Sequence, residues 1–541
     1  MRRWPIAALA LPLIVSASSR AAADTYPRQP GVDAIHYVFT LGLTDASSEI
    51  TGQSTATFRF TSAGIREVVL DLVRTTADGK GMTVSSVTCA GKRAAFTHEG
   101  DRLRIALSGA PAADTELSCT TAYKGVPADG LRIINNIHGE RTAFSENWPN
   151  NARHWLPMID HPYDKATGEF IITAPAHYQI VANGLLVEET DLPGDLRRTH
   201  WKQSVPIASW LYALGMARFS ARQYATSKGV PQQVWVFPQD AETGGRIFDL
   251  TGRRAFDYFS EQIGPYSYEK LAHVQAAGLG GGTEHASVIF YGEKNVASGN
   301  APVVHEVAHQ WWGNAVTERD WDDVWLSEGF ATYFTLLYTE QVEGRDVFVR
   351  GLRTSRDRIL QLEKKMPDTP IIHRNLSDMR RVLNQLVYQK GGWTLHMLRY
   401  EMGTERFWDG IREYYRLYQN QNASTDDLRA VMERHAGRDL SWFFSQWLTR
   451  SGVPALKGSW MYDAAAKQVV IDIAQTQAGD PYRLLLEVGI ASGSMAPRVE
   501  RIELTGREGR FTIAADSAPA EVTLDPHTWV LTEPPVFSRR P

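Results

Sequence analysis

Cysteine is scarce. The 541 residues hold two, Cys89 and Cys119, and neither has the spacing of a metal ligand, which excludes a cysteine-built metal centre and a disulfide-dense scaffold. Whether the two pair or stay as buried thiols is open from the sequence. Long apolar runs are lacking too. The longest, Trp4 to Val15, is too short to span a bilayer comfortably. There is no basic stretch and no low-complexity segment or repeat. The net charge is −4, and without residues 1–23, which carry three arginines and no acid, it becomes −7. That balance argues against nucleic acid as a partner. What remains is ordinary globular composition, 43% hydrophobic and 22% charged, in a chain long enough for three or four domains.

The first 23 residues have the layout of a secretory signal. Arg2 and Arg3 form a charged start, the apolar run follows, and Ala21-Ala22-Ala23 offers a small-residue cleavage site before Asp24. The expectation is an exported protein, periplasmic or extracellular, with no integral membrane segment after signal removal. A retained N-terminal anchor is the other reading.

Chemistry concentrates at residues 305–328. His305-Glu306-Val307-Ala308-His309 places two imidazoles at i and i+4 on one helical face. Glu306 lies beside them as a candidate general base. A catalytic zinc takes three protein ligands and leaves a fourth position for water. Glu328, in Trp325-Leu326-Ser327-Glu328-Gly329-Phe330-Ala331, stands near the start of a second predicted helix and is the third candidate. Large aromatics crowd both segments, which is unlike a solvated helix face.

The stretch HEVAHQWWGN, followed by WLSEGFATYF with its glutamate nineteen positions after His309, resembles the gluzincin metallopeptidases of the M1 aminopeptidase family. The resemblance implies Zn2+, one per chain, on His305, His309 and Glu328, with Glu306 as base. It implies peptide substrates with a free N-terminus. Tyr388, in Tyr388-Gln389-Lys390-Gly391, matches the family tyrosine that donates to the oxyanion. Gly281-Gly282-Thr283-Glu284-His285 resembles the family's Gly-x-Met-Glu-Asn segment. Glu284 would then bind the substrate amine, and Gly281 and Gly282 would let its backbone approach. Thr283 stands for the usual Met and His285 for the usual Asn. A protonated His285 would weaken amine binding at acid pH. Glu146 is the candidate for a second amine-side residue, although its spacing to Arg153 is two residues longer than the common pattern.

Along the chain, residues 31 to about 205 read as many short strands separated by Gly and Asp turns, a β-sandwich or saddle. From about Trp210 the texture turns α-rich, with helices expected at 248–263, 302–314, 325–338 and 382–400, and one after Ser424-Thr425; the resemblance implies a thermolysin-like catalytic region. Alternation returns after Pro454. The resulting fold class is multidomain α+β: a signal at 1–23, an N-terminal β domain at 24–208, a catalytic domain at 209–454 and a small β-sandwich at 455–541. The leading functional expectation is an exported zinc aminopeptidase. A zinc endopeptidase, an epoxide-hydrolase-like enzyme and a non-catalytic relative are the alternatives.

Overall fold

The computed structural model describes residues 24–372, 376–492 and 498–540. The secretory signal expected over residues 1–23 lies outside them. None of the described helices is long and apolar enough to cross a membrane.

The fold is mixed α+β, with β-rich segments at both ends of a helical middle. The N-terminal part is built on an eight-stranded sheet. Its centre pairs Val32–Gly42 in parallel with Lys165–Pro175 and antiparallel with Ile50–Phe60. Period-2 patterning explains the strand Lys165–Pro175, whose residues alternate between buried and half-buried along its whole length. Gly81–Cys89 and Thr115–Val126 lie side by side in the same sheet, with Cys89 directly opposite Cys119. The two cysteines form a disulfide, which settles the question that the sequence leaves open. A smaller four-stranded sheet ends in Arg141–Ser145 and the edge strand Leu131–Asn135.

The middle of the chain is less purely helical than its sequence texture suggests. A five-stranded sheet comes first, in the order Ser220–Ser227, Val230–Val236, Leu271–Ala276, Val288–Gly292, Gly282–Thr283. Leu271–Ala276 and Val288–Gly292 are buried at every position. Strands covered on both faces lose the alternation that marks a strand in sequence, so this sheet gives little signal. The helix expected over 248–263 begins earlier, at Ala241, and passes through a π turn at Phe248–Gly252 before Arg253–Gln262. The helix expected over 302–314 is Val303–His309 and stops there. The chain turns at Gly313, whose φ of +99° suits glycine, and continues into the short strand Val316–Glu318. Trp325–Glu343 and Gln385–Met402 follow the expected pattern. Asn384 caps the latter, accepting from the amides of Leu386 and Val387. Ser424 and Asp427 form a capping box on Thr425–Ala436.

The last part is a small β domain of two sheets, four- and three-stranded. Trp460, Ile471, Leu486 and Val488 are among its buried residues.

Two polar clasps tie the N-terminal strands to the helical part. The buried Asp24 carboxylate accepts from His161 Nε2 at 2.8 Å and from the Trp321 amide at 2.9 Å, while Arg28 pairs with both Asp24 and Asp320. Lys165 Nζ donates to the carbonyls of Asn314, Ala315 and Gln421, each at 3.1 Å. An ammonium withdrawn from water needs such acceptors, and two of the three belong to the turn that follows His309.

The disulfide closes a loop with a sequence separation of 30, for which the chain-entropy relation gives about 3–4 kcal/mol. Replacing both cysteines by serine is expected to lower unfolding free energy by about that amount. A urea titration of wild type and variant checks this, and coincident curves would show that the crosslink adds nothing.

Candidate metal centre and active site

The site begins with the short helix Val303–His309. His305 and His309 sit one turn apart on Val303–His309, with Nε2 atoms 3.2 Å from each other. His309 Nδ1 lies 3.1 Å from the Trp312 carbonyl. A carbonyl can only accept, so Nδ1 carries the proton and the Nε2 lone pair faces the site. Ser327 Oγ packs against the same Nδ1 at 3.1 Å.

Glu328 enters from the first turn of Trp325–Glu343. Its Oε2 is 3.5 Å from His305 Nε2 and 3.3 Å from His309 Nε2. That oxygen is buried and has no hydrogen-bond partner in the protein. Its other oxygen, Oε1, accepts from the Tyr388 hydroxyl at 2.8 Å. Tyr388 is brought there by the crossing of Gln385–Met402 over Trp325–Glu343. The crossing is tight: a Cβ on Gly329 would stand 2.9 Å from the Gly391 backbone. The Lys390 ammonium points elsewhere, to Glu363 and the carbonyls of Arg450 and Gly452, so the lysine beside Tyr388 holds the junction with the last domain.

Glu306 projects toward the Gly-rich strand. A Cβ on Gly282 would lie 2.4 Å from its carboxyl carbon, so a side chain at this position would displace the Glu306 carboxylate. Gly282–Thr283 is the edge strand of its sheet, antiparallel to Val288–Gly292. Gly281 adjoins it, and its carbonyl accepts from the Gly292 amide at 2.7 Å. Glu284 follows. It is buried, one carboxylate oxygen lacks a protein partner, and that oxygen lies 3.9 Å from His309 Nδ1. Glu146 reaches the same strand from the N-terminal part, accepting from Thr283 Oγ1 at 3.0 Å. Thr283 thus ties the N-terminal loop to the edge strand.

His285 corrects an expectation. Its ring is fully buried, bonded through Nδ1 to the Trp210 carbonyl at 3.2 Å and set edge-on to Phe290. Burial pushes its pKa down to about 4. It belongs to the core and offers no charge to the cleft near neutral pH. Glu284 and His285 lie in the loop just after Gly282–Thr283, where the contact with the Trp210 carbonyl holds the His285 ring in the core.

Two residues with structural leverage on the site escape a motif reading. Gln310 Nε2 donates to the carbonyls of Glu284 and His285 at 3.1 and 3.2 Å, and its Oε1 accepts from the Ser287 amide at 3.0 Å. Asn314 Nδ2 donates to the Glu284 carbonyl at 2.6 Å. Both amides are fully buried. The signal was present as two amides in the aromatic run His309-Gln310-Trp311-Trp312-Gly313-Asn314, where a buried amide requires partners.

The electrostatics call for a cation. Glu284, Glu306 and Glu328 are all buried, and no lysine or arginine forms an ion pair with any of them among the described residues. Burial raises Glu306, and Glu284 raises it further. Burial works against protonation of His309, yet Glu284 and Glu328 push its pKa up to about 10. Positive charge is what the cluster lacks. His305, His309 and Glu328 present ligand atoms within 4.8 Å of one another, and the orphaned Glu328 Oε2 faces both Nε2 lone pairs. A second grouping, Glu284, Glu306 and His309, meets the same limit. The Trp312 and Ser327 contacts occupy His309 Nδ1, which leaves His309 one free nitrogen and directs it to Glu328. Two imidazoles and one carboxylate fit Zn2+.

A helix-borne histidine pair, a glutamate from the next helix and a carboxylate beside them define a metallohydrolase of the gluzincin type. The Peptidase M1 N-terminal domain model matches residues 33–211 and the Peptidase family M1 domain model matches residues 251–447, together more than half of the chain. The chain belongs to the M1 peptidase family, and that membership supports Zn2+ as its cofactor. Glutamyl aminopeptidase from Bos taurus is 28% identical over 359 residues, which is 63% of this chain and 37% of that protein. The Homo sapiens glutamyl aminopeptidase is 29% identical over 362 residues, 61% of this chain and 38% of that one. The match thus spans little more than a third of the length of these curated relatives. Among solved structures, the M1 zinc metallopeptidase of Deinococcus radiodurans aligns with a TM-score of 0.67 at 24% identity, covering 78% of this chain and 95% of that one. Legionella pneumophila aminopeptidase A aligns with a TM-score of 0.80 at 18% identity, covering 97% of this chain and 61% of that one. At these identities the two structures show a shared fold.

Purified protein is expected to hold about one zinc per chain. His309→Ala and Glu328→Ala are expected to lose it and Glu284→Gln to keep it. Metal analysis after dialysis checks this, and full zinc in His309→Ala would remove that histidine from the ligand set.

Proposed function

We propose that the protein is an aminopeptidase, removing residues from the free amino end of peptides. The observation that carries this reading is Glu284. It is a buried carboxylate with one oxygen free of protein partners, at the end of an edge strand and next to the metal donors. An extended peptide adding to the edge strand Gly282–Thr283 would bring its amino end to Glu284 and Glu146. An ammonium there offsets the buried negative charge, whereas a blocked terminus leaves it uncompensated.

When bound, Zn2+ supplies Lewis acidity that polarises the scissile carbonyl and acidifies water near neutral pH. Glu306, pressed against Gly282, takes the proton from the attacking water and returns it to the departing amine. Burial and the Glu328 carboxylate keep the Tyr388 phenol protonated, so it is a donor throughout the working range. In this structure the hydroxyl donates to Glu328 Oε1; turned toward the substrate, it would stabilise the oxyanion. Glu284 fixes the amino end and, with it, which bond is cut.

We also propose export. Two features support it: the signal-like pattern of residues 1–23 and the Cys89–Cys119 disulfide, which suits an oxidising compartment.

The test of the activity compares one short peptide with a free and with an acetylated N-terminus, with and without a chelator. Release of the first residue is expected only from the free form and only without chelator. Internal cleavage of both forms would establish an endopeptidase instead. Glu306→Gln is expected to keep its zinc and lose about 10²–10⁴-fold in turnover. Near-normal turnover of the zinc-loaded variant would remove Glu306 from its role as base.

A further inference from the structure

Resting on the aminopeptidase reading, we propose that Arg132 is a specificity-determining residue of that site, selecting peptides whose first side chain is acidic. The motifs of the site do not include it. It lies on the edge strand Leu131–Asn135, which pairs with Arg141–Ser145, the strand that runs into Glu146.

Three observations place its guanidinium at the rim of the first-residue pocket. Arg132 Nη1 donates to the Gly278 carbonyl at 2.5 Å. That bond reaches across from the N-terminal part to the segment that leads into Gly281, Gly282 and Glu284, and it fixes where the charge sits. Beyond Gly278 the segment opens: a Cβ built on Gly280 or Gly281 would meet nothing within 4 Å. With the substrate amine held at Glu284 and Glu146, this open space is where a first side chain has room to extend. Finally, Arg132 is close enough to Glu146 to draw its pKa down against burial, which raises it. The cation therefore stands within electrostatic reach of the amine position.

The surrounding charges make this position decisive. Glu146, Glu284, Glu306 and Asp129 are all negative when ionised, and Asp129 also acts on Glu146. Without Arg132 the rim would repel an acidic side chain. Arg132 is half-buried and forms no ion pair among the described residues, so its charge is not neutralised by a fixed carboxylate. A guanidinium with remaining N–H donors is suited to a carboxylate at the end of two or three methylenes.

The test measures kcat/KM for amides of Glu, Gln and Lys with free α-amines, using the full-length zinc-loaded enzyme. Glu and Gln share size and shape, so their ratio reads charge. Wild type is expected to favour Glu over Gln by about tenfold, an ordinary effect for a partly exposed charge pair. R132Q is expected to bring the ratio to about one, R132K to restore part of it, and R132E to favour Lys. A wild-type ratio of one or less overturns the proposal while leaving the aminopeptidase intact. So does a proportional loss of both rates in R132Q, which would mean that Arg132 only braces the loop at Gly278. Turnover of none of the three amides would overturn the aminopeptidase reading and this inference with it.

Discussion

The centre of the molecule depends on burying negative charge beside two imidazole nitrogens. Glu328 Oε2 and the Nε2 atoms of His305 and His309 converge to within 3.5 Å, an arrangement that is unfavourable unless a cation joins them. The surrounding structure follows from that requirement. Trp312 and Ser327 set the His309 tautomer, and the Gly329–Gly391 crossing lets Tyr388 reach the remaining Glu328 oxygen. Gly282 leaves the gap into which Glu306 fits. Each of these contacts positions a donor more than it adds stability of its own.

Binding and catalysis are coupled through backbone carbonyls. Gln310 and Asn314 extend from the end of the histidine helix and hold the carbonyl of Glu284, so the position of Glu284 is tied to that of the histidine helix. Lys165 reaches the same turn from the N-terminal sheet. Glu146 and Arg132 approach from the smaller four-stranded sheet, so the proposed first-residue pocket is assembled from two parts of the chain. The Asp24–His161–Trp321 clasp keeps those parts in register at a distance from the cleft.

Several elements were legible because their physics is local. The histidine pair at i and i+4, the capping residue Ser424, and the short strands between residue 31 and about 205 need only short-range geometry. The strands of the five-stranded sheet were not legible, since burial on both faces erases alternation at Leu271–Ala276 and Val288–Gly292. The end of the histidine helix was read too far, because the aromatic run after His309 keeps a helical look while Gly313 turns the chain. His285 was read as a cleft residue from its neighbour Glu284, although its contact with the Trp210 carbonyl holds the ring in the core.

The sequence by itself determined the donor types and their order: two histidines, a base between them, a glutamate nineteen residues on, and a tyrosine sixty residues beyond that. It determined them because ligand chemistry is a property of side chains and helical spacing a property of short segments. Only the tertiary structure decided that Cys89 faces Cys119, that Thr283 hands its hydroxyl to Glu146, that His285 lies in the core, and that Arg132 stands over Gly278. Those outcomes depend on which segments become neighbours, and residues 30 to 146 positions apart meet only when the chain has packed.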